Sequence, residues 1–120
     1  MLLTEFEIKQ VIEKARTAFP LLTDWEFNNE QNGEYFGFSV WGKFVQDPED
    51  LMSRSFFVTL DTYEQSWRGH FTTGQPSYLW SSTDEDDAYL LGIGARESLD
   101  DAIISLKAKI AELFRAFSAV

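Results

Sequence analysis

The chain has 120 residues, of which 44% are hydrophobic and 16% aromatic, which predicts one compact domain over residues 1–120. Twenty acidic residues against ten basic ones leave a formal net charge of -10, which repels phosphate backbones and anionic lipid, so we expect neither nucleic acid nor a membrane as partner. The chain has no cysteine, which excludes thiol catalysis and thiolate metal sites, and no secretory leader is visible at its start. We therefore expect a cytoplasmic protein.

The first segment predicts an amphipathic helix. Thr4 and Glu7 have the spacing of a capping box, so the helix is expected to begin at Glu5, and Pro20 is expected to stop it. Hydrophobic residues recur along it at intervals of three and four, namely Ile8, Val11, Ile12, Ala15 and Phe19.

A β-hairpin is predicted next, with Asn32 and Gly33 forming a two-residue type I′ turn. This turn sets Gln31 opposite Glu34 and fixes the rest of the register. The expected pairs on the core face are Phe27 with Phe38, Trp25 with Val40 and Asn29 with Phe36.

A second hairpin is predicted from two runs rich in aromatic and β-branched residues. Its expected core pairs are Leu60 with Trp67, Val58 with Gly69 and Phe56 with Phe71. The same register sets Phe57 opposite His70 and Thr59 opposite Arg68 on the other face. Further along, 78–80 is read as a short edge strand, while 89–94 is either a strand or a buried connector.

The last segment predicts a core helix with Ser98 as its N-cap and with Asp100 and Asp101 in the first turn. Its apolar stripe comprises Ala102, Ile103, Leu106, Ile110, Leu113, Phe114 and Phe117. Together the elements predict an α+β two-layer sandwich, in which both helices pack on one face of an antiparallel sheet of four to six strands.

The sequence offers little evidence for a catalytic site or a metal site. His70 is the one histidine, but it falls inside a predicted strand and no Gly-x-Ser-x-Gly motif accompanies it, so a surface histidine is the preferred reading. The acidic run Asp84, Glu85, Asp86 and Asp87 departs from a calcium loop because Tyr89 stands where the loop needs glycine. We therefore assign no catalytic residue, no metal site and no cofactor.

Two features point to binding. Residues 17–42 contain four acidic residues and no lysine or arginine. Residues 69–95 also contain four acidic residues and no lysine or arginine, although His70 lies in this tract. Such tracts are able to steer a basic protein. The predicted registers also place aromatic and cationic side chains on the sheet face away from the helices, namely Tyr35, Trp41, Lys43, Phe57, Arg68 and His70.

The preferred hypothesis is a small acidic, non-catalytic interaction domain that binds a basic protein partner, as inhibitors and immunity-type regulators do. Its expected contact residues are Tyr35, Trp41, Phe57, Arg68, His70 and the acidic run 84–87. One alternative is a small-molecule-binding or hydrolytic enzyme with a pocket between the sheet and the C-terminal helix, in which His70 or the carboxylates of Asp84 to Asp87 are the reactive groups. Another is a homodimer formed through the open sheet face.

Overall fold

The computed structural model describes residues 2–32, 35–50, 54–74 and 88–119. Helix α1 (Glu5–Ala18) is followed by strands β1 (Thr23–Asn32), β2 (Tyr35–Val45), β3 (Ser55–Tyr63), β4 (Ser66–Gly74) and β5 (Ala88–Arg96), and then by helix α2 (Leu99–Ser118). The strands form one antiparallel sheet in the order β1-β2-β3-β4-β5. The predicted α+β class is confirmed, and the open choice at 89–94 resolves to a strand.

Both helices start where their capping residues predict. Thr4 accepts a hydrogen bond from the Glu7 amide at 3.2 Å, and the Glu7 carboxylate accepts one from the Thr4 amide at 3.0 Å, which completes the capping box. Ser98 caps α2 by accepting from the Asp101 amide at 3.1 Å. In the described part of the chain, neither helix is long and apolar enough to cross a membrane.

The core lies between the helices and one face of the sheet. Phe38, Val40, Leu60 and Leu106 are fully enclosed there. The remaining core residues are Ile8, Val11, Ala15, Phe19, Val58, Trp67, Phe71, Ile93, Leu99, Ala102 and Ile103. Because this core draws on α1, α2 and alternate residues of the strands, the helices share one side of the sheet.

The predicted register of the first hairpin is wrong by two residues. Phe27 pairs with Val40, not with Phe38, and Asn29 pairs with Phe38. Asn32, which was predicted to lie in the turn, is the last residue of β1 and pairs with Tyr35, while Gly33 lies outside the described residues. The shift is even, so every side chain keeps its predicted face.

Trp25 also lacks its predicted partner, because Val40 pairs with Phe27. In addition, β1 is irregular between Thr23 and Glu26, where Asp24 has a φ of 56°. The Trp25 ring lies over Gly42, where an added Cβ would come within 2.6 Å of it. Glycine at position 42 therefore makes room for the indole.

The second hairpin is shifted in the same way. Leu60 pairs with Gly69, not Trp67, and Val58 pairs with Phe71. Phe56 pairs with Thr73, Phe57 with Thr72, Thr59 with His70 and Asp61 with Arg68. Strand β3 continues to Tyr63, three residues beyond the end that the sequence predicted. The chain then turns at Glu64, whose φ is 57°.

The apolar stripe of α2 is buried over part of its length. Ala102, Ile103 and Leu106 are buried, whereas Phe114 and Phe117 are 52% and 83% exposed, so the prediction that both phenylalanines lie in the core is wrong. Helix α2 has 20 residues and α1 has 14, so the last turns of α2 extend beyond α1, which does not cover Phe114 and Phe117. The predicted strand at 78–80 lies outside the described residues.

Candidate functional site

The side of the sheet away from the helices carries the candidate site. We call it the open face and define it by Trp41, Phe57, Thr59, Asp61, Arg68 and His70. Strand pairing sets Trp41 beside Thr59 and Thr59 beside His70, so the three residues form one row across β2, β3 and β4. Neighbouring strands are about 4.8 Å apart, which places the whole row within one small contact area.

Asp61 is the central charge of the open face. Its side chain is 13% exposed, and its carboxylate accepts hydrogen bonds from Arg68 Nε at 3.3 Å and from Arg68 Nη2 at 3.4 Å. The guanidinium also lies over the Tyr63 ring at 4.5 Å from its centroid. Arg68 is thus held by a forked ion pair on one side and by a cation–π contact on the other.

His70 packs against Asp61 and Tyr89. Its Nε2 lies 3.7 Å from Asp61 Oδ2, and its ring meets the Tyr89 ring edge-on with centroids 6.1 Å apart. Its Nδ1 is buried and has no hydrogen-bond partner among the described residues. An added Cβ at Gly92 would come within 3.1 Å of Nδ1 and 2.5 Å of the Tyr89 hydroxyl, so glycine permits this stacking.

This arrangement bears on acid-base chemistry at His70. A general base needs a ring nitrogen within hydrogen-bond reach of a substrate proton. Here Nε2 faces the Asp61 carboxylate, and Nδ1 is enclosed next to Gly92. Both ring nitrogens of His70 are thus directed at residues of the neighbouring strands β3 and β5.

The β1 side of the face is polar. Trp41 Nε1 donates a hydrogen bond to Glu26 at 3.2 Å, and Lys43 pairs with Asp24 at 3.8 Å, with the aspartate 70% exposed. A shallow depression beside them is lined by Trp25, Trp41, Phe57 and the charged residues Asp24, Glu26 and Lys43. Carboxylates thus border the aromatic part of the face.

Of the residues that the sequence proposed for binding, the structure brings Trp41, Phe57, Arg68 and His70 together. The side chain of Tyr35 and the acidic run Asp84, Glu85, Asp86 and Asp87 lie outside what the structure describes. Sequence reasoning missed Asp61, because it ended β3 at Leu60. Alternation along 57, 59 and 61 was the signal that assigns this carboxylate to the same face.

A separate cavity of about 340 Å³ lies on the helix side, between the sheet and α2. Phe19, Phe44, Phe71, Ile110 and Phe114 are among its lining residues. His70 faces the opposite side of the sheet, so a pocket at this position does not contain the histidine that the enzyme hypothesis assigned to it. Among residues that the structure describes, no cluster of three or more His, Asp or Glu side chains is able to hold a metal ion.

The site and fold define an α+β two-layer sandwich with an aromatic and charged sheet face that neither of the described helices covers. Searches against protein-family models, curated proteins and solved structures find no match for this chain.

Proposed function

We propose that this chain is a non-catalytic interaction domain that binds a basic protein through the open face, and that it works in the cytoplasm. The observation that carries the proposal is the one-sided packing of the helices. Both described helices cover the same side of the sheet, while Trp41, Phe57, Arg68 and His70 share the other side. Inhibitors and immunity-type regulators are proteins of this kind.

The residue types on the open face support a contact surface. Tryptophan, tyrosine and arginine are enriched at the centres of protein interfaces, where water is excluded on binding. Trp41 and Phe57 are half-buried in the isolated chain, and Arg68 is already held in place by Asp61 and Tyr63. A side chain fixed before binding loses little conformational entropy when a partner packs against it.

The charge supports a basic partner. The chain has a formal net charge of -10, and Asp24 and Glu26 border the aromatic part of the face. Such a field speeds the approach of a cationic protein, and the effect declines as salt shortens the Debye length from about 10 Å at 0.1 M. Association that weakens with salt is therefore the expected behaviour.

The experiment compares two charge-introducing variants of the purified chain. Thr59→Arg places a bulky cation in the middle of the row of Trp41 and His70, whereas Ile104→Arg, at a position 66% exposed on α2, is the matched control. Affinity capture at low and high salt identifies a partner, and calorimetry with that purified partner measures its affinity. We expect Thr59→Arg to abolish binding and Ile104→Arg to leave it unchanged.

Two results would contradict the proposal. In the first, both variants bind the purified partner as tightly as the unmodified chain. In the second, light scattering finds a dimer that Thr59→Arg converts to a monomer, and no other protein binds. That second result would favour the homodimer hypothesis for the same face.

A further inference from the structure

The cavity between the sheet and α2 arises from a difference in helix length. Lys14 of α1 pairs with Asp100 in the first turn of α2 at 3.1 Å, and Lys107 lies over the Phe19 ring just after α1 ends. The helices therefore run side by side in the same direction as far as Lys107. From there to Ser118, about 16 Å of α2 extends beyond the end of α1.

The space beneath this extension is apolar. Phe44, Phe56, Val58 and Phe71 of the sheet contribute to one side of the cavity, and Phe56 and Phe71 stack there with centroids 5.8 Å apart. The rest of the described lining comprises Phe19, Leu21, Leu22, Gln46, Phe57, Ile110 and Phe114. Gln46 is the one polar side chain in this described set, so the cavity offers no site for a polar ligand group that needs several hydrogen bonds.

The exposed apolar surface of the cavity argues for an occupant. Apolar surface that is concave and open to solvent is typical of a binding site, and this cavity has a volume of about 340 Å³. An engineered cavity of about 150 Å³ lined by similar side chains binds benzene, so there is room here for roughly twice as many carbon atoms, about ten to twelve. Leu21 and Phe114, which are 77% and 52% exposed, leave the cavity accessible from solvent.

The charge near the cavity suggests the head group of the occupant. Lys109 donates a hydrogen bond to the Gly92 carbonyl of β5, a strand that contributes no residue to the described lining, whereas Lys107 lies beside a residue of the lining. The Lys107 ammonium lies 5.8 Å from the ring centroid of Phe19, which lines the cavity. A carboxylate on a ligand that packs against Phe19 would therefore lie close to this cation.

We propose that this cavity binds a single medium-length hydrocarbon chain carrying a carboxylate, with the chain among Phe56, Phe71 and Ile110 and the carboxylate near Lys107. Most of this site lies on the opposite side of the sheet from the open face, although Phe57 belongs to both sets of residues. Thr59 is not among the described residues that line the cavity, so we expect Thr59→Arg to disrupt the protein interaction proposed above and to leave binding in the cavity unaffected.

The test titrates the purified chain with decanoate and, in parallel, with 1-decanol, both below their aggregation concentrations. Methyl NMR spectra follow Val58, Leu22 and Ile110 at the cavity and Ile8 and Ile104 away from it. We expect saturable one-to-one binding of both probes, with shifts confined to the cavity methyls. Binding that is absent, that does not saturate, or that shifts Ile8 and Ile104 equally overturns the proposal.

A variant that fills the cavity and a matched control test where the hydrocarbon chain of the ligand binds. Leu22→Trp fills the cavity and is expected to abolish binding of both probes, whereas Ile104→Trp, on the exposed side of α2, leaves binding intact. Should Leu22→Trp fail to fold, the confined shifts in the unmodified chain still decide the location. Unimpaired binding by a folded Leu22→Trp overturns the proposal.

Lys107→Gln is expected to weaken decanoate binding about two- to fivefold, the range of an exposed ion pair, and to leave decanol unchanged. Lys9→Gln on α1 is its control. Equal effects on both probes, or none on either, overturn the carboxylate assignment. Light scattering that finds a dimer through Phe114 and Phe117 would show that a second copy occupies the cavity and would also overturn it.

Discussion

Replacing Asp61 with alanine tests whether the carboxylate organises the open face. The change removes both hydrogen bonds to Arg68 and leaves a guanidinium whose side chain is 32% exposed without its counter-charge. Breaking a fully buried pair costs about 3–5 kcal/mol and breaking an exposed one about 0–1 kcal/mol. Because Asp61 is 13% exposed and Arg68 is about one-third exposed, we expect a loss of about 2 kcal/mol in the free energy of unfolding.

Urea denaturation followed by circular dichroism measures this loss, and a double-mutant cycle assigns it to the pair. Arg68→Met keeps the stem of the side chain but removes its charge. We expect Asp61→Ala to cost about 1 kcal/mol less in the Arg68→Met background than alone. Asp24→Ala, whose carboxylate is 70% exposed and 3.8 Å from Lys43, is the control and is expected to cost under about 0.5 kcal/mol.

Two results would refute this reasoning about Asp61. One is an Asp61→Ala variant that unfolds within about 0.5 kcal/mol of the unmodified chain. The other is an equal cost in both backgrounds, since it would show that Arg68 does not depend on Asp61.

Three further substitutions test the frame around the site. Thr62→Val removes a buried hydroxyl that bonds the Phe38 amide at 2.9 Å and the Phe38 carbonyl at 3.3 Å, so a loss of about 2 kcal/mol is expected in urea denaturation. Gly42→Ala sets a Cβ within 2.6 Å of the Trp25 ring, and we expect about 1–3 kcal/mol of destabilisation together with altered indole fluorescence. Thr4→Ala removes the capping box of α1 and is expected to cost about 1 kcal/mol, measured by thermal unfolding.

The helix starts and the faces of the strands were readable from the sequence because both depend on local chemistry. Thr4 and Ser98 cap their helices through hydrogen bonds that span three residues. Alternation alone separates Trp41 from Val40 and His70 from Phe71, so the candidate face could be assigned before its register was known. Phe114 and Phe117 could not be placed, because their burial depends on the reach of α1, which is a tertiary property.

The predicted registers of both hairpins were wrong because side-chain alternation does not fix the pairing of two strands. A shift of two residues keeps each side chain on its face, so the division into apolar and polar positions does not distinguish the two pairings. The wrong register also concealed the pair of Asp61 and Arg68. The predicted pairing set Arg68 opposite Thr59, whereas in the structure Arg68 lies opposite Asp61. The error therefore changed which side chains interact without changing which face they occupy.

Side-chain volume and charge explain why the observed register is favoured in the second hairpin. Leu60 lies opposite Gly69, where an added Cβ would come within 3.0 Å of Leu106 and 3.4 Å of Leu60, so the glycine leaves space that α2 and β3 fill. The predicted pairing of Leu60 with Trp67 would set two large side chains against each other beneath the same helix. On the other face, the observed pairing is the one that brings Asp61 to Arg68. The core and the open face thus select the same register, and the ion pair that shapes the candidate site also contributes to the specificity of the fold.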